Sequence, residues 1–135
     1  MTQEDKELLL KDLCARLPYD VKVCYENNTY YLNEISPACK DIMISALIQD
    51  ENRQRCADFV LIEEIKPYLR PMSSMTEEEK KEYENIAHGI EVENGVRIPN
   101  VKQIDWLNKH HFDYRGLIEK GLALEALEGM YGKGE

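Results

Sequence analysis

The chain has 135 residues, 43% hydrophobic and 32% charged, which is enough apolar material for a globular core and argues against a disordered chain. Its formal charge of −9 repels phosphate, so direct nucleic-acid binding and docking on anionic lipid are disfavoured, whereas a basic protein partner fits. The longest apolar runs, LLL at 8–10 and FVLI at 59–62, fall far short of the roughly 20 residues that a membrane-spanning helix needs.

The opening MTQEDKE carries acids where an export signal carries bases, so a cytoplasmic protein is expected. Thr2 and Asp5 form a loose capping box, and Leu10, Leu13, Cys14 and Leu17 recur at helical spacing until Pro18, predicting an amphipathic helix over 3–16. The period then changes to two. Val21, Val23 and Tyr25 alternate with Lys22, Cys24 and Glu26, and Asn27-Asn28 supplies residues that tolerate positive φ. A hairpin on that turn would pair Tyr25 with Tyr30 and Val23 with Leu32. Further strands are expected at 41–48 (DIMISALI) and 54–62 (QRCADFVLI), and a short hairpin at 89–93 and 96–98 around Asn94-Gly95. In EIKPYLRP, Pro67 and Pro71 bracket an expected turn or single helical turn.

Thr76 and Glu79 form a capping box that opens a charged helix to about Ala87. Pro99 and Asn100 start another helix, with Gln103 completing its cap and Val101, Ile104 and Leu107 forming its inner stripe. Asp113 reads as the N-cap of a last helix carrying Leu117, Ile118, Leu122 and Leu124, which Gly129 would terminate. Residues 129–135 read as a frayed tail. These elements predict one α+β domain over 1–135. It has an N-terminal helix, about four antiparallel strands over 20–62 forming a half-open SH3-like barrel or a curled sheet, and C-terminal helices over 74–128.

The chemically richest stretch is NKHHFDYRG at 108–116. Neighbours on a helix are turned about 100° apart, so His110 and His111 do not chelate one metal. His111 would continue the inner stripe from Leu107, and His110 would stack on Trp106. In the last turn both would complement the helix dipole as cations. If the chain has a reactive cluster, its members are His88, His110, His111, Asp113, Tyr114 and Arg115. A ββα-metal nuclease outline, with His88 before the hairpin and Asn100, Asn108 and His111 after it, is opposed by the net charge.

No GxSxG, HExxH, phosphate loop or dinucleotide fingerprint is present, so no catalytic residue, metal or cofactor is assigned. Cys14, Cys24, Cys39 and Cys56 match neither CxxC nor zinc-finger spacing and read as reduced thiols. The candidate interaction surface combines the acids Glu77, Glu78, Glu79 and Glu82 with Tyr30 and Tyr31, which offer amphipathic contact area.

The stretches LLLKDLCARLPYDVKV, KPYLRPMSSMTEEE and DWLNKHHFDYRGLIEKGLALEALEGMY resemble a group of small uncharacterised proteins numerous in gut-anaerobe genomes, where they lie among prophage and other mobile-element genes. The resemblance implies an accessory protein of the bacterial cytoplasm or of a phage-infected cell, and carries over no site residues. The sequence thus points to a non-enzymatic interaction module. An acidic inhibitor or nucleic-acid mimic and a histidine-dependent hydrolase or nuclease are the alternatives.

Overall fold

The structure is a computed structural model and describes residues 2–37, 44–50, 52, 60–86, 91–93, 96–98 and 101–131. Helix α1 (Gln3–Arg16) starts at a complete capping box: Thr2 Oγ1 accepts from Asp5 N at 3.1 Å, and the Asp5 carboxylate accepts from Thr2 N at 3.3 Å. Pro18 falls in a 3-10 turn, Leu17–Tyr19, and Asp20 at φ 55° reverses the chain. The buried face differs from the expected one. Leu9, Asp12, Leu13 and Arg16 are buried and Cys14 is exposed, so an aspartate and an arginine occupy stripe positions that hydrophobicity alone assigns elsewhere.

Strands β1 (Lys22–Tyr25) and β2 (Asn28–Pro37) form the expected hairpin in a shifted register. The turn residues are Glu26 and Asn27, at φ 49° and 65°, so Tyr25 pairs with Asn28 and Val23 with Tyr30. A two-residue turn with positive φ at both positions matches strand twist, and Glu26 accepts that strain where Asn28 was expected to. Because the slip is of two residues, every side chain keeps its face. Tyr25 and Tyr30 become diagonal neighbours, with ring centroids 6.2 Å apart.

β2 pairs antiparallel with β3 (Ile44–Gln49) through a register shift between Leu32 and Glu34, and β3 with β4 (Val60–Leu61). Positions 41–43 and 54–59 of the two expected strands lie outside the described residues, and Ile62–Glu64 is a 3-10 turn. The segment expected to turn, KPYLRP, is instead strand β5 (Lys66–Pro71), antiparallel to β1. Prolines are tolerated because the ladder does not call on them as donors. Arg70 N donates to His111 O at 2.7 Å, and Leu69 O accepts from Ala126 N at 2.7 Å.

Helix α2 (Glu77–Asn85) carries the expected box: Thr76 Oγ1 accepts from Glu79 N at 3.2 Å and Glu79 Oε1 from Thr76 N at 3.0 Å. It stops at Asn85, two residues before the expected end. Strands β6 (Glu91–Glu93) and β7 (Val96–Ile98) pair as the predicted hairpin in a separate two-stranded sheet, with Asn94-Gly95 outside the described residues. Helix α3 (Val101–Lys109) follows; its expected cap, Pro99-Asn100, is also outside them. Val101 is 76% exposed and does not belong to the inner stripe, which consists of Gln103, Trp106, Leu107 and Asn108.

The largest correction is at the C-terminus. The helix expected after Asp113 is replaced by β8 (Phe112–Asp113), a series of turns, and β9 (Leu124–Glu125), both strands running parallel to β5. Gly116 at φ 74° and Gly121 at φ 75° take left-handed backbone that interrupts the helical pattern. The Asp113 carboxylate accepts from Leu117 N at 2.9 Å and Ile118 N at 3.0 Å, closing a wide loop in place of a helix cap. Leu117 and Leu122 nevertheless reach the core, which is why their spacing looked helical.

The fold is therefore α+β. Among the described residues the main sheet has the order β4-β3-β2-β1-β5-β8 with β9 also on β5, and it is mixed because β8 and β9 join in parallel. The main core packs Leu9 and Leu13 of α1 on Val23, Leu32, Ile48 and Leu69 of the sheet and on Val21, just before β1. A smaller core of Trp106, Leu107 and Phe112, with Met75, Tyr83 and Ile86 against it, joins α2 to α3. No helix among the described residues is long and apolar enough to cross a membrane.

Candidate functional site

The two cores meet at the end of α3, and there the chain leaves a cleft of about 820 Å³. One wall is the start of α2, with Thr76 to Glu79 and Glu82. The floor is His110 and His111, and the far wall is Tyr19, Lys22, Tyr31 and Tyr131. A second concavity of about 650 Å³ holds Tyr30 and shares Lys22 and Tyr31 with the first.

The histidines are held differently. His110 packs on Trp106 with centroids 4.3 Å apart and ring planes tilted by 38°, a contact its spacing predicts. Trp106 is itself fixed by Nε1 donating to Glu82 Oε1 at 2.9 Å and by stacking on Phe112. His111 leaves α3 in left-handed backbone, φ 61°, and its ring stacks on Tyr131 at 4.0 Å. Burial first, and then the Arg16 charge, push the His111 imidazole down to about 3, with the Tyr19 carbonyl acting against them. Burial also lowers His110, although Glu82 and Glu79 oppose it. His111 is thus a neutral ring at pH 7, contrary to the expectation of a cation at the helix end.

Tyr131, expected in a frayed tail, is a keystone. Its hydroxyl donates to Tyr68 O at 2.7 Å and accepts from Lys22 N at 3.0 Å. Lys22 Nζ donates to Met130 O at 2.5 Å and lies 5.4 Å and 5.6 Å from the Tyr31 and Tyr131 ring centroids. An ammonium over two aromatic faces is an electrostatically favoured arrangement.

The four glutamates of the expected interaction surface have separate duties. Glu79 is clamped by Arg70, Nη1 to Oε2 at 2.8 Å and Nη2 to Oε1 at 2.7 Å, and this charge-assisted fork holds its carboxyl down at about 2. Glu82 holds Trp106. Among the described residues Glu77 makes only a loose exposed pair with Lys80 at 3.6 Å, and Glu78 has no ion-pair partner. Glu77 and Glu78 are the acids left over at the cleft mouth.

Asp113, Tyr114 and Arg115 belong to another constellation. Asp12 Oδ2 accepts from Arg16 Nε at 2.9 Å and Oδ1 from Arg115 Nη1 at 2.8 Å, while Arg16 Nη2 donates to Phe112 O at 2.6 Å. Tyr114 gives its hydroxyl to Asn108 Oδ1 at 2.9 Å and its ring to Arg115, whose guanidinium lies 4.6 Å from the centroid. This network ties α1 to the turn after β8. The expected cluster of six thus divides: His110 and His111 face the cleft, Asp113, Tyr114 and Arg115 hold the fold, and His88 lies outside the described residues. Asp113→Ala should cost about 1–3 kcal/mol, because two backbone donors lose their acceptor. Urea denaturation checks this, and a loss under 0.5 kcal/mol, roughly the scale of an ordinary surface change, would contradict it.

The residues that sequence reasoning missed are Lys22, Arg70 and Tyr131 at the cleft and Asp12 and Arg16 beneath it. Among them only Asp12 and Arg16 had a visible signal, an i,i+4 pair in register with Leu9 and Leu13. Of the nuclease outline, Asn108 is buried with its side-chain oxygen engaged by Tyr114, while His88 and Asn100 lie outside the described residues. No group of three or more histidine, cysteine, aspartate or glutamate side chains among the described residues is placed to hold a metal ion. Cys14 and Cys24 are free thiols, and Cys39 and Cys56 fall outside the described residues.

Fold and site together define an α+β protein with a polar, aromatic-walled cleft at a junction of two cores. No family model, curated protein or solved structure matches the chain.

Proposed function

We propose that the protein is a non-enzymatic interaction module that receives a partner protein at the α2–α3 cleft, serving as a cytoplasmic accessory protein of a phage or mobile element. The observation that carries this reading is the pair Glu77 and Glu78 at the cleft mouth, exposed and, among the described residues, tied to the fold only by the first turn of α2 and a loose Glu77–Lys80 pair, while the neighbouring Glu79 and Glu82 are engaged by Arg70 and Trp106. The net charge of −9 favours a basic protein over nucleic acid. The mobile-element association rests on the resemblance of the terminal stretches. Inhibition of a host defence or DNA-binding protein would use the same acidic mouth and is a special case of the same module.

His110 and His111 do share a cleft with carboxylates, which is the observation favouring a hydrolase. A ring whose basicity is reduced to about 3 is a weak general base at pH 7, so the cleft is a poorer hydrolase than it is a docking surface. The test is a paired capture from cells that encode the protein, using tagged wild type and the Glu77→Lys, Glu78→Lys double variant. A protein partner held by the wild type and lost from the variant is expected. Retention of nucleic acid in place of protein, or equal retention by both forms, would overturn it.

A further inference from the structure

Resting on that interaction reading, we infer that the cleft is an acceptor site for a lysine or arginine side chain carried on a basic segment of the partner protein, seated between the Glu77-Glu78 mouth and the His111-Tyr131 wall. Three independent features converge on a cation. The first is the balance of uncommitted charge. Of the bases around the cleft, Arg70 is consumed by Glu79 and Lys22 by Met130 O and two tyrosine faces, which leaves exposed Lys109 against the two acids Glu77 and Glu78. An anionic ligand would meet one lysine, two spent bases and two repelling carboxylates.

The second feature is an acceptor without a donor. His111 is 5% exposed, lines the cleft, and its Nδ1 makes no hydrogen bond. The imidazole is neutral at pH 7, and with its proton on Nε2 the unpartnered Nδ1 presents a lone pair. A buried polar atom of this kind calls for a partner, and the partner of a lone pair is an N–H or O–H group. The third feature is the aromatic lining: Tyr19 joins Tyr31 and Tyr131 on the cleft, and Lys22 Nζ over the latter two rings shows that such faces hold an ammonium. The wall therefore has the chemistry to receive an ammonium, and a volume of about 820 Å³ accommodates a long side chain with its flanking backbone.

One competitor lies beneath the floor. Arg16 Nη1 is a buried donor without a partner, and the Arg16 charge acts on His111.

The probe is hexalysine, titrated into full-length protein carrying isotope labels on histidine and tyrosine rings, with hexaglutamate as the comparison. Hexalysine should shift the ring signals of His111 and Tyr131, and its affinity should fall steeply with salt as for screened charge pairs. Glu77→Lys with Glu78→Lys should weaken binding about tenfold or more, while Glu63→Lys with Glu64→Lys, the same change of net charge outside the cleft, should leave it nearly unchanged. The first pair spares the Thr76–Glu79 cap but removes two first-turn acids of α2, and Glu63→Lys breaks the 2.9 Å Lys6–Glu63 ion pair, so the circular dichroism spectrum and urea midpoint of each variant are compared with wild type before titration. Equal weakening by the two variants, binding of hexaglutamate, or hexalysine shifts confined to α2 with His111 unmoved would each overturn the inference. A natural partner that hexalysine neither displaces nor mimics would leave the interaction module standing and remove the cation site.

Discussion

Asp12→Ala is expected to destabilise the protein by about 3–5 kcal/mol, a large share of the roughly 5–15 kcal/mol that holds a domain folded. Asp12 and Arg16 side chains are both 0% exposed, and each Asp12 oxygen accepts from a different arginine. Truncation would leave the Arg16 guanidinium buried with one backbone acceptor, Phe112 O, and with Nη1 already unpartnered. Water cannot replace a carboxylate at a site it does not reach, so the full desolvation of the charge is exposed. The control is the double variant Asp12→Ala with Arg16→Met. Removing both charges should recover part of the loss, since a buried pair replaced by apolar groups is often near neutral. Urea denaturation of the three variants measures the cycle. A loss under about 1 kcal/mol for Asp12→Ala, the size of an exposed pair, would show that the triad is hydrated.

The second large effect is with pH. His111 has its ordinary value near 6.5 in the unfolded chain and about 3 when folded, so between these values the unfolded chain binds more protons. Its contribution is complete above pH 6.5 and is lost as pH falls toward 3. Glu79 acts in the same direction in a lower window, complete above 4.5 and lost toward about 2. The interval from 6.5 to 4.5 therefore isolates the histidines. Each pH unit corresponds to about 1.4 kcal/mol per fully differential proton, so wild type should lose roughly 2 kcal/mol across that interval. His111→Asn, which tolerates the left-handed backbone at this position, should flatten the fall. Urea midpoints at pH 7, 6, 5 and 4.5 record it. A wild-type profile as flat as the variant's would mean that His111 protonates freely in the folded protein.

Local signals in the sequence translated well. The Thr2 and Thr76 boxes, the first hairpin, the Asn94-Gly95 hairpin and the His110–Trp106 stack each depend on residues within four or so positions of one another. What was hidden depends on distant partners. KPYLRP reads as a turn until β8 and β9 arrive to pair with it, because a proline is excluded from a strand only where its missing donor is needed. Leu117 and Leu122 carry a helical spacing into a segment whose glycines at 116 and 121 take positive φ.

The cleft was half legible for the same reason. Glu77, Glu78, Tyr31 and the two histidines were singled out from the sequence, and the structure brings them to one place. Tyr131 was lost in a glycine-rich tail whose anchor, Tyr68 O, is 63 positions away. Asp12 and Arg16 drew no attention in the sequence because charge normally marks an exposed face, and the groups that make their burial tolerable, Arg115 and Phe112 O, lie about a hundred positions away.

Site-specific photocrosslinking tests the proposed docking site most directly. A photoreactive phenylalanine analogue in place of Glu78, at the cleft mouth, should form a covalent adduct with a basic protein in cells that encode this chain, and the same analogue in place of Glu63 should not. An adduct formed from position 63 alone, or none from either position, would contradict a docking site at the α2–α3 cleft.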